Sequence, residues 1–300
     1  MPTEVTFSLD LEDHRPEGAS FPARHADISH DLLGRLSDAG VGGSVYVVGD
    51  VAESEPGLVV AAAEMGFEIG LHAWRHDPLT TRSPDQFAAE TSKGRDLLED
   101  LIGAAVLGFR APVFSIVPET NWVPDILAEL GFVYSSSVLP AWSPLFGWPG
   151  LPHQPFRWPS GLIELPCPIT RVGPLWVPFL GGIYLRTLPT PVVERARRRL
   201  GPDDVAFTYC HPFDFDPEEP FWIDEFSNEV TARMAWRNRD LMEQRVRRVV
   251  GAGGRSLIDR AEALGDLVTV NRRGRADALD PAVPRSPRRP GVPGRLRRSP

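Results

Sequence analysis

Short apolar segments typical of strands alternate with amphipathic helical segments through most of this 300-residue chain. Strands are predicted at residues 5–9, 44–48, 67–71, 105–109, 132–134, 162–165, 205–209 and 267–270. Helices are predicted at residues 31–39, 55–65, from 83 onward, 120–130, 190–200 and 229–250. Repeated strand–helix units favour parallel strands with helices on the outside. The chain is therefore predicted to be an α/β protein, and polar clusters at its strand ends suit a barrel.

Two histidines four residues apart, His72 and His76, follow the strand predicted at 67–71. Just past a strand end, both imidazoles can turn onto one point. Zinc takes imidazole and carboxylate ligands, and catalytic zinc sites leave one position open. The pair alone is weak evidence, because ordinary surface or core histidines occur at this spacing about as often. Three further polar clusters at strand ends strengthen the prediction of a metal site.

The first strand leads into three acids within four positions, Asp10, Glu12 and Asp13. One carboxylate could ligate a metal while another acts as a general base; the alternative is a solvated acidic turn. Arg110 closes the strand at 105–109. A buried arginine needs an acidic partner, and a bidentate contact would aim the Asp10 carboxylate. The alternative is an ordinary exposed arginine.

His211 follows the strand at 205–209, three residues before Asp214. Histidine can deliver a proton near neutrality, and a neighbouring acid such as Asp214 could raise its pKa. The alternative is a loop histidine with no role in chemistry. Together the four clusters predict a metal-assisted hydrolase, with the metal held by the histidine pair and one acid.

The formal charge of −8 divides unevenly along the chain. Residues 271–300 carry nine Arg and two Asp, which leaves −15 for the rest. An acidic body argues against a nucleic-acid partner. The basic, proline-rich tail at 271–300 is predicted to be disordered, because it has too few apolar residues to offset its ordering entropy. No apolar stretch is long enough for a transmembrane segment and no secretory signal is recognisable, so a cytoplasmic location is expected.

Five motifs in order resemble the polysaccharide deacetylase family, the NodB-homology carbohydrate esterases of family 4. The motifs are Thr6-Phe7-Ser8-Leu9-Asp10, His72 with His76, Arg110-Ala111-Pro112-Val113-Phe114, Tyr134-Ser135-Ser136-Ser137 and Tyr209-Cys210-His211-Pro212. The chain is most similar to the branch associated with exosortase/PEP-CTERM loci. That likeness rests on Asp10-Leu11-Glu12-Asp13, Gly181-Gly182-Ile183-Tyr184-Leu185-Arg186 and His211-Pro212-Phe213-Asp214.

The resemblance implies a distorted (β/α)7-type barrel and hydrolysis of N-acetyl groups on an N-acetylated carbohydrate. It implies a divalent metal, zinc first, with Asp10 as base, Arg110 as orienting residue and His211 as acid. It also implies substrate-binding residues at Pro112, Phe114, Ser135, Ser136, Gly182 and Tyr184. One catalytic domain is predicted over residues 1–270, with residues 139–188 as a substrate-loop insertion.

The sequence departs from the family pattern in its first motif. Many members carry a second Asp that binds the metal, whereas here Leu11 follows Asp10. The metal acid must then be Glu12 or Asp13, and Glu12 is preferred because strand alternation puts residues 10 and 12 on one side. Ser135 stands where the branch usually has Asp.

Two other functions remain open. An allantoinase-like enzyme would hydrolyse another C–N bond, in a cyclic ureide or imide. Such relatives often alter the metal residues, whereas both histidines are present here. A glycan-binding relative without activity would be expected to lose some of the predicted catalytic residues, and all of them are present.

Overall fold

The computed structural model describes residues 4–16, 18–223, 229–251 and 254–271. Its main sheet has eight strands in the order β10-β1-β2-β3-β4-β5-β7-β6. Their bounds are β1 Val5–Leu11, β2 Gly43–Val47, β3 Glu68–Leu71, β4 Gly108–Phe109, β5 Tyr134–Ser135, β6 Phe156–Arg157, β7 Ile163–Glu164 and β10 Ala206–Phe207. Seven strands run parallel and the edge strand β6 runs antiparallel. No ladder among the described strands joins β6 to β10, so the sheet is curled but open. The predicted α/β fold of the distorted (β/α)7 type is confirmed, as a curled, mostly parallel sheet that forms a half-barrel and does not close.

Ten helices connect and cover the strands of the described chain. They are α1 His25–Asp38, α2 Gly49–Ser54, α3 Pro56–Glu64, α4 Pro84–Ile102, α5 Val123–Glu129, α6 Gly182–Thr187, α7 Thr190–Arg197, α8 Glu229–Trp236, α9 Met242–Val250 and α10 Leu257–Glu262. The predicted cap of α4 is present, since the Ser83 hydroxyl accepts from the amide of Gln86. A capping box of this kind satisfies amides that the first helical turn leaves free. None of the helices in the described ranges is long and apolar enough to cross a membrane.

Alternation along β1 separates the core from the site. Val5, Phe7, Leu9 and Leu11 join the large hydrophobic core under the outer helices. The intervening side chains of Thr6, Ser8 and Asp10 are also buried but point to the inside of the curl. Neighbouring strands repeat the pattern, so that one face of the sheet packs and the other carries polar groups towards the carboxyl end.

The inside of the curl is filled by aromatic rings. Tyr46 of β2 and Tyr134 of β5 share a hydrogen bond of 2.7 Å between their hydroxyls, and Tyr134 donates to Glu68. Gly70 makes room for this arrangement, because a Cβ there would lie 2.7 Å from the Tyr46 ring. Helix α10 closes this second core from the end opposite to the polar cluster, through Leu257 and its neighbours.

The long helix predicted at 229–250 is wrong. The chain breaks between α8 and α9, where Asn238 is left-handed (φ 59°) and a 3-10 turn spans Arg239–Leu241. The break is fixed by polar burial: Arg239 donates to Glu219 at 2.7 Å, and Asn238 donates to the carbonyl of Arg186 at 2.9 Å. An uninterrupted amphipathic pattern in the sequence gives no sign of these distant partners.

Other predicted boundaries also change. The segment at 139–188 is more regular than a loop, since it contains β6, β7, α6 and the hairpin of β8 Ile169–Val172 with β9 Leu175–Pro178. The strand at 105–109 shrinks to two residues, and the segment at 267–270 makes only a bridge between Thr269 and Arg157. The predicted disordered tail falls outside the described residues apart from Asn271.

Candidate active site

A candidate metal centre lies where β1 and β3 end. Glu12, His72 and His76 each offer a ligand atom, and these atoms all lie within 4.8 Å of one another. Glu12 Oε2 is 2.5 Å from His76 Nε2 and 3.9 Å from His72 Nε2. This is the only such group of three among the described residues. The structure therefore brings the two predicted histidines together with a carboxylate.

The backbone explains why the two histidines converge. Ala73 is left-handed (φ 61°), which turns the chain sharply after His72. Hydrogen bonds from the amides of Gly49 and Asp50 to the carbonyls of Ala73 and Trp74 hold the turn against the start of α2. The loop then returns His76 towards His72, with 5.2 Å between the ring centroids.

The tautomer of His72 is set by a main-chain carbonyl. Its Nδ1 lies 2.8 Å from the carbonyl oxygen of Arg110, so Nδ1 carries the proton and donates it. Nε2 is left with a free lone pair, is buried, and makes no hydrogen bond to any described residue. Burial lowers the pKa of His72 to about 4, which keeps the ring neutral. This is the form that binds a metal, and a backbone acceptor on the far nitrogen is its usual support.

Glu12 and His76 complete the ligand set. Burial raises the pKa of Glu12, but the charges of His76 and His211 and a hydrogen bond from His76 outweigh it and lower the pKa below its usual range. Burial lowers the pKa of His76, whereas Glu12 raises it more, so the net shift is upward. A bound cation would compete with the His76 proton. Two imidazoles and an ionised carboxylate converge here, and the buried Nε2 of His72 has no hydrogen-bond partner among the described residues. This set of donors fits a divalent metal.

Asp13, the alternative metal acid, points elsewhere. Its carboxylate accepts two hydrogen bonds from Arg15 Nε, at 3.0 and 3.1 Å, and one from Nη2 at 2.7 Å. His25 Nδ1 lies 3.7 Å from it. Strand alternation, which favoured Glu12, agrees with this placement.

Asp10 and Arg110 form a buried pair beside the metal centre. Arg110 Nη1 donates to Asp10 Oδ1 at 2.6 Å and to Ser8 Oγ at 2.8 Å. The expected bidentate contact to Asp10 is wrong, because Nη2 and Nε are taken by the hydroxyl and carbonyl of Ser136. The guanidinium also lies 4.1 Å over the Tyr46 ring. Arg110 therefore fixes Asp10 through one oxygen, and Oδ2 is left for the cavity.

His211 lies on the other side of Asp10, with 3.9 Å between His211 Nε2 and Asp10 Oδ2. Its Nδ1 donates to Asp214 at 2.9 Å, and Arg186 Nε lies 2.8 Å from the other Asp214 oxygen. Burial alone lowers the pKa of His211. The Asp214 hydrogen bond and the charges of Glu12, Asp214 and Asp10 outweigh it and raise the pKa to about 9. The predicted influence of Asp214 is thus present, and His211 holds a proton on Nε2 near neutral pH.

A cavity of about 370 Å³ opens over these groups. Its floor contains Asp10, Glu12, His72, His76, Arg110 and His211. Its walls are mostly apolar and include Val113, Phe114, Leu139, Leu145, Phe146, Pro178, Tyr184, Tyr209 and Phe213. Small-molecule sites are commonly concave and apolar with a few convergent polar groups. Residues 139–188, the predicted substrate segment, supply part of the wall.

The predicted substrate-binding residues divide into three groups. Phe114 and Tyr184 line the cavity, whereas Pro112 and Gly182 lie beside it without lining it. Ser135 and Ser136 are fully buried. Ser136 holds Arg110, and Ser135 donates to the Ser137 hydroxyl, which accepts from the amide of Ala111. Contact of these six residues with a sugar stays a prediction.

Sequence reasoning missed several supporting residues. Ser8 and Thr208 tie β1 to the end of β10 through a hydroxyl that accepts from the Ser8 amide at 2.8 Å. Glu164 is buried under the serine segment and accepts from the amides of Ser137 and Val138. Side-chain alternation along β1 places Ser8 on the same side as Asp10, so the sequence could have indicated Ser8. Arg186 is part of the motif Gly181-Gly182-Ile183-Tyr184-Leu185-Arg186, but sequence reasoning assigned it no role. Nothing in the sequence around Glu164 indicates its partners.

Two family models divide the chain between them. The model of the polysaccharide deacetylases matches residues 19–134, and that of a domain of unknown function, DUF3473, matches residues 136–255. The chain carries a polysaccharide deacetylase domain. The deacetylase match contains His72, His76 and Arg110. Asp10 and Glu12 precede it, and His211 falls within the DUF3473 match.

Two curated relatives resemble parts of the chain. The peptidoglycan deacetylase-like protein FGM2 of Gibberella zeae is 32% identical over 109 residues, which is 36% of this chain and 31% of that protein. Chitin deacetylase 1 of Cryptococcus neoformans is 25% identical over 129 residues, or 43% of this chain and 27% of that protein. The match thus spans less than a third of either relative.

A solved structure supports the fold over nearly the whole chain. A Mycobacterium smegmatis protein assigned to the polysaccharide deacetylases superposes with a TM-score of 0.55 at 20% identity. The superposition covers 96% of this chain and 94% of that one. The curled sheet of this chain is therefore a known architecture.

Proposed function

We propose that this protein is a metal-dependent deacetylase that removes N-acetyl groups from amino sugars of a glycan or glycan precursor. One observation carries the proposal: a Glu–His–His centre, a fixed aspartate and a protonated histidine meet on the floor of one cavity. Amide hydrolysis needs these three elements, namely an electrophile for the carbonyl, a base for water and an acid for the leaving amine.

Glu12, His72 and His76 would hold the metal. The donor set of two imidazoles and one carboxylate suits zinc, which leaves a further coordination position open in catalytic sites. A divalent cation supplies Lewis acidity to the amide carbonyl and lowers the pKa of water.

Asp10 is the proposed base. Its Oδ1 is held by Arg110 at 2.6 Å, so the carboxylate cannot rotate freely, and Oδ2 faces the cavity. A carboxylate in this position can accept the proton of the attacking water. Arg110 acts through Asp10 and through its main-chain carbonyl, which orients His72.

His211 is the proposed acid. Its Nδ1 is committed to Asp214, and its Nε2 carries the proton that the leaving amine requires. The raised pKa of about 9 keeps that proton in place at neutral pH. Phe213 stacks on the ring with a centroid distance of 4.7 Å and an interplanar angle of 4°, which limits its rotation.

The N-acetylated sugar is proposed from the deacetylase domain and its relatives, since the cavity walls alone do not select a sugar. An allantoinase-like hydrolase of a cyclic ureide or imide, and a glycan-binding protein without activity, are the competing functions. The Asp10–Arg110–Ser8 network argues against a function limited to glycan binding, because it places the Asp10 carboxylate beside the candidate metal centre. The cytoplasmic location and the likeness to the exosortase-associated branch stay predictions.

The test is acetate release from N-acetylated glycans, free and carrier-linked, by the zinc-loaded full-length protein. Ureides serve as the competing substrates. Acetate should appear, should cease with a chelator and should return with zinc. The Asp13→Asn variant is the matched control for Asp10→Asn, because Asp13 faces Arg15 and not the cavity floor. Ureide hydrolysis without acetate release from any glycan would replace the proposal by the allantoinase-like function.

A further inference from the structure

A basic groove lies between the β8–β9 hairpin and helix α7. It is open, has a volume of about 680 Å³ and shares no lining residue with the catalytic cavity. Four arginines line it: Arg171 from the hairpin and Arg195, Arg198 and Arg199 from α7 and the residues after it. All four are exposed, and no acidic residue lines the groove.

Within the described ranges, none of these four arginines forms an ion pair with a carboxylate, although the chain carries many such pairs elsewhere. Glu194 on the same helix is engaged by Arg248 at 2.9 Å. Because the chain without its last thirty residues carries a net charge of −15, this cluster is a local exception that an anionic surface would recognise.

The tip of the hairpin adds exposed apolar side chains to the basic groove. Val172, Leu175 and Trp176 are 40%, 56% and 44% exposed. Val172 pairs with Leu175, and Arg171 pairs with Trp176, across a turn at Gly173. A projecting two-stranded hairpin gains little from leaving such side chains in water. Apolar and aromatic residues beside arginines are typical of segments that bind at a membrane interface.

The base of the hairpin belongs to the wall of the catalytic cavity. Pro178 lines the cavity, and Ile169 packs against Leu139 and Tyr209, which also line it. Pro178 is three positions along β9 from Leu175 at the tip, or roughly 10 Å of strand. A ligand held at the tip would therefore lie close to the cavity.

We propose that the hairpin tip and the basic groove dock the protein on an anionic phospholipid bilayer. The arginines would bind lipid phosphates, and Leu175 and Trp176 would enter the headgroup region. A soluble anionic polymer would use the arginines but would leave the apolar tip uncovered, so the two observations together favour the bilayer. The catalytic cavity would then stand roughly 10 Å from the lipid surface, where a lipid-anchored substrate is presented. The docking surface does not depend on the reaction that the cavity performs.

The test is co-sedimentation of the full-length protein with vesicles of phosphatidylcholine alone or mixed with phosphatidylglycerol. Binding should require phosphatidylglycerol. The Arg195→Gln/Arg198→Gln variant should bind about 25-fold more weakly, at about fivefold for each arginine near the surface. The Leu175→Ser/Trp176→Ser variant should also lose affinity. The matched control is Arg35→Gln/Arg233→Gln, which removes two exposed charges elsewhere and should bind like the parent.

Equal binding by all four proteins would show that another part of the chain, such as the arginine-rich tail, makes the contact, and would overturn the proposal. Absence of binding by the parent protein would overturn it too. A soluble anionic polysaccharide is tested as the competing ligand. If the protein binds this polymer but not vesicles, and if binding needs the arginines but not Leu175 and Trp176, the bilayer is replaced by a polymer as the ligand. Acetate release from a soluble glycan should be unchanged in the Arg195→Gln/Arg198→Gln variant, whose residues lie outside the predicted substrate segment, and this separates the test from that of the proposed function.

Discussion

The dependence of His211 on Asp214 leads to a quantitative prediction for the variant Asp214→Asn. Asp214 accepts from both the ring and the amide of His211, each at 2.9 Å. With this carboxylate, the pKa of His211 is raised to about 9. Without it, burial acts against protonation while the charges of Glu12 and Asp10 still favour it, and the pKa should fall to about the ordinary value of 6.5.

The rate should then fall more at alkaline pH than at acid pH. With a pKa of about 9, roughly nine tenths of His211 is protonated at pH 8, against about 3% with a pKa of 6.5. The variant should lose up to about thirtyfold in kcat/KM at pH 8 but less than about twofold at pH 6, because both forms are then mostly protonated. A cation bound next to Glu12 would lower the pKa of His211 in the parent protein, so a thirtyfold loss of kcat/KM is the upper limit.

The assay is kcat/KM for acetate release between pH 5.5 and 10, with zinc content and melting temperature measured on each sample. Asp216→Asn is the matched control, since Asp216 is equally buried but pairs with Arg24. The fall in kcat/KM of Asp216→Asn at alkaline pH, the alkaline limb of its pH profile, should coincide with that of the parent protein. If Asp214→Asn lowers the rate by the same factor at every pH, or leaves the alkaline limb in place, His211 is not the titrating acid.

Three more predictions concern the metal, the base and the sheet. Glu12→Gln should weaken zinc binding by more than about 100-fold, which exceeds the loss usual when a residue that only hydrogen-bonds to a metal ligand is replaced. Asp13→Asn should keep the metal. Zinc content after dialysis measures both effects. Asp10→Asn should retain zinc yet lose about 10²–10⁴-fold in turnover, and normal turnover would exclude it as base. Gly70→Ala should cost about 1–3 kcal/mol in unfolding free energy, measured with urea, because its Cβ would press on the Tyr46 ring; an unchanged midpoint would contradict that packing.

Local sequence patterns predicted the parts of the fold that local physics determines. Alternation in β1 separates the core side from the site side, and it favours Glu12 over Asp13 as the metal acid. The Ser83 cap and the strand before His72 follow from short-range rules in the same way. Convergence of the site residues followed from the rule that parallel strands end at one edge.

The remaining features depend on partners far away in the chain. The break before α9 is set by Glu219 and by the carbonyl of Arg186, and neither leaves a mark in the helical periodicity. The single contact between Arg110 and Asp10 depends on Ser136, which competes for the same guanidinium. Such competition among buried polar groups becomes visible only when all of them are placed.

The pairing of β1 with β10 bears on the order in which the candidate site is built. Glu12, His72 and His76 lie within the first 76 residues, whereas His211 is about 135 residues further along the chain. A ribosome-bound chain can thus bring the candidate metal ligands together long before His211 has been synthesised. Contacts between distant segments also form late because of the entropy of closing long loops. If the proposed function holds, hydrolysis has to wait for β10 to dock beside β1, and a half-made chain would sequester a metal ion without attacking any substrate.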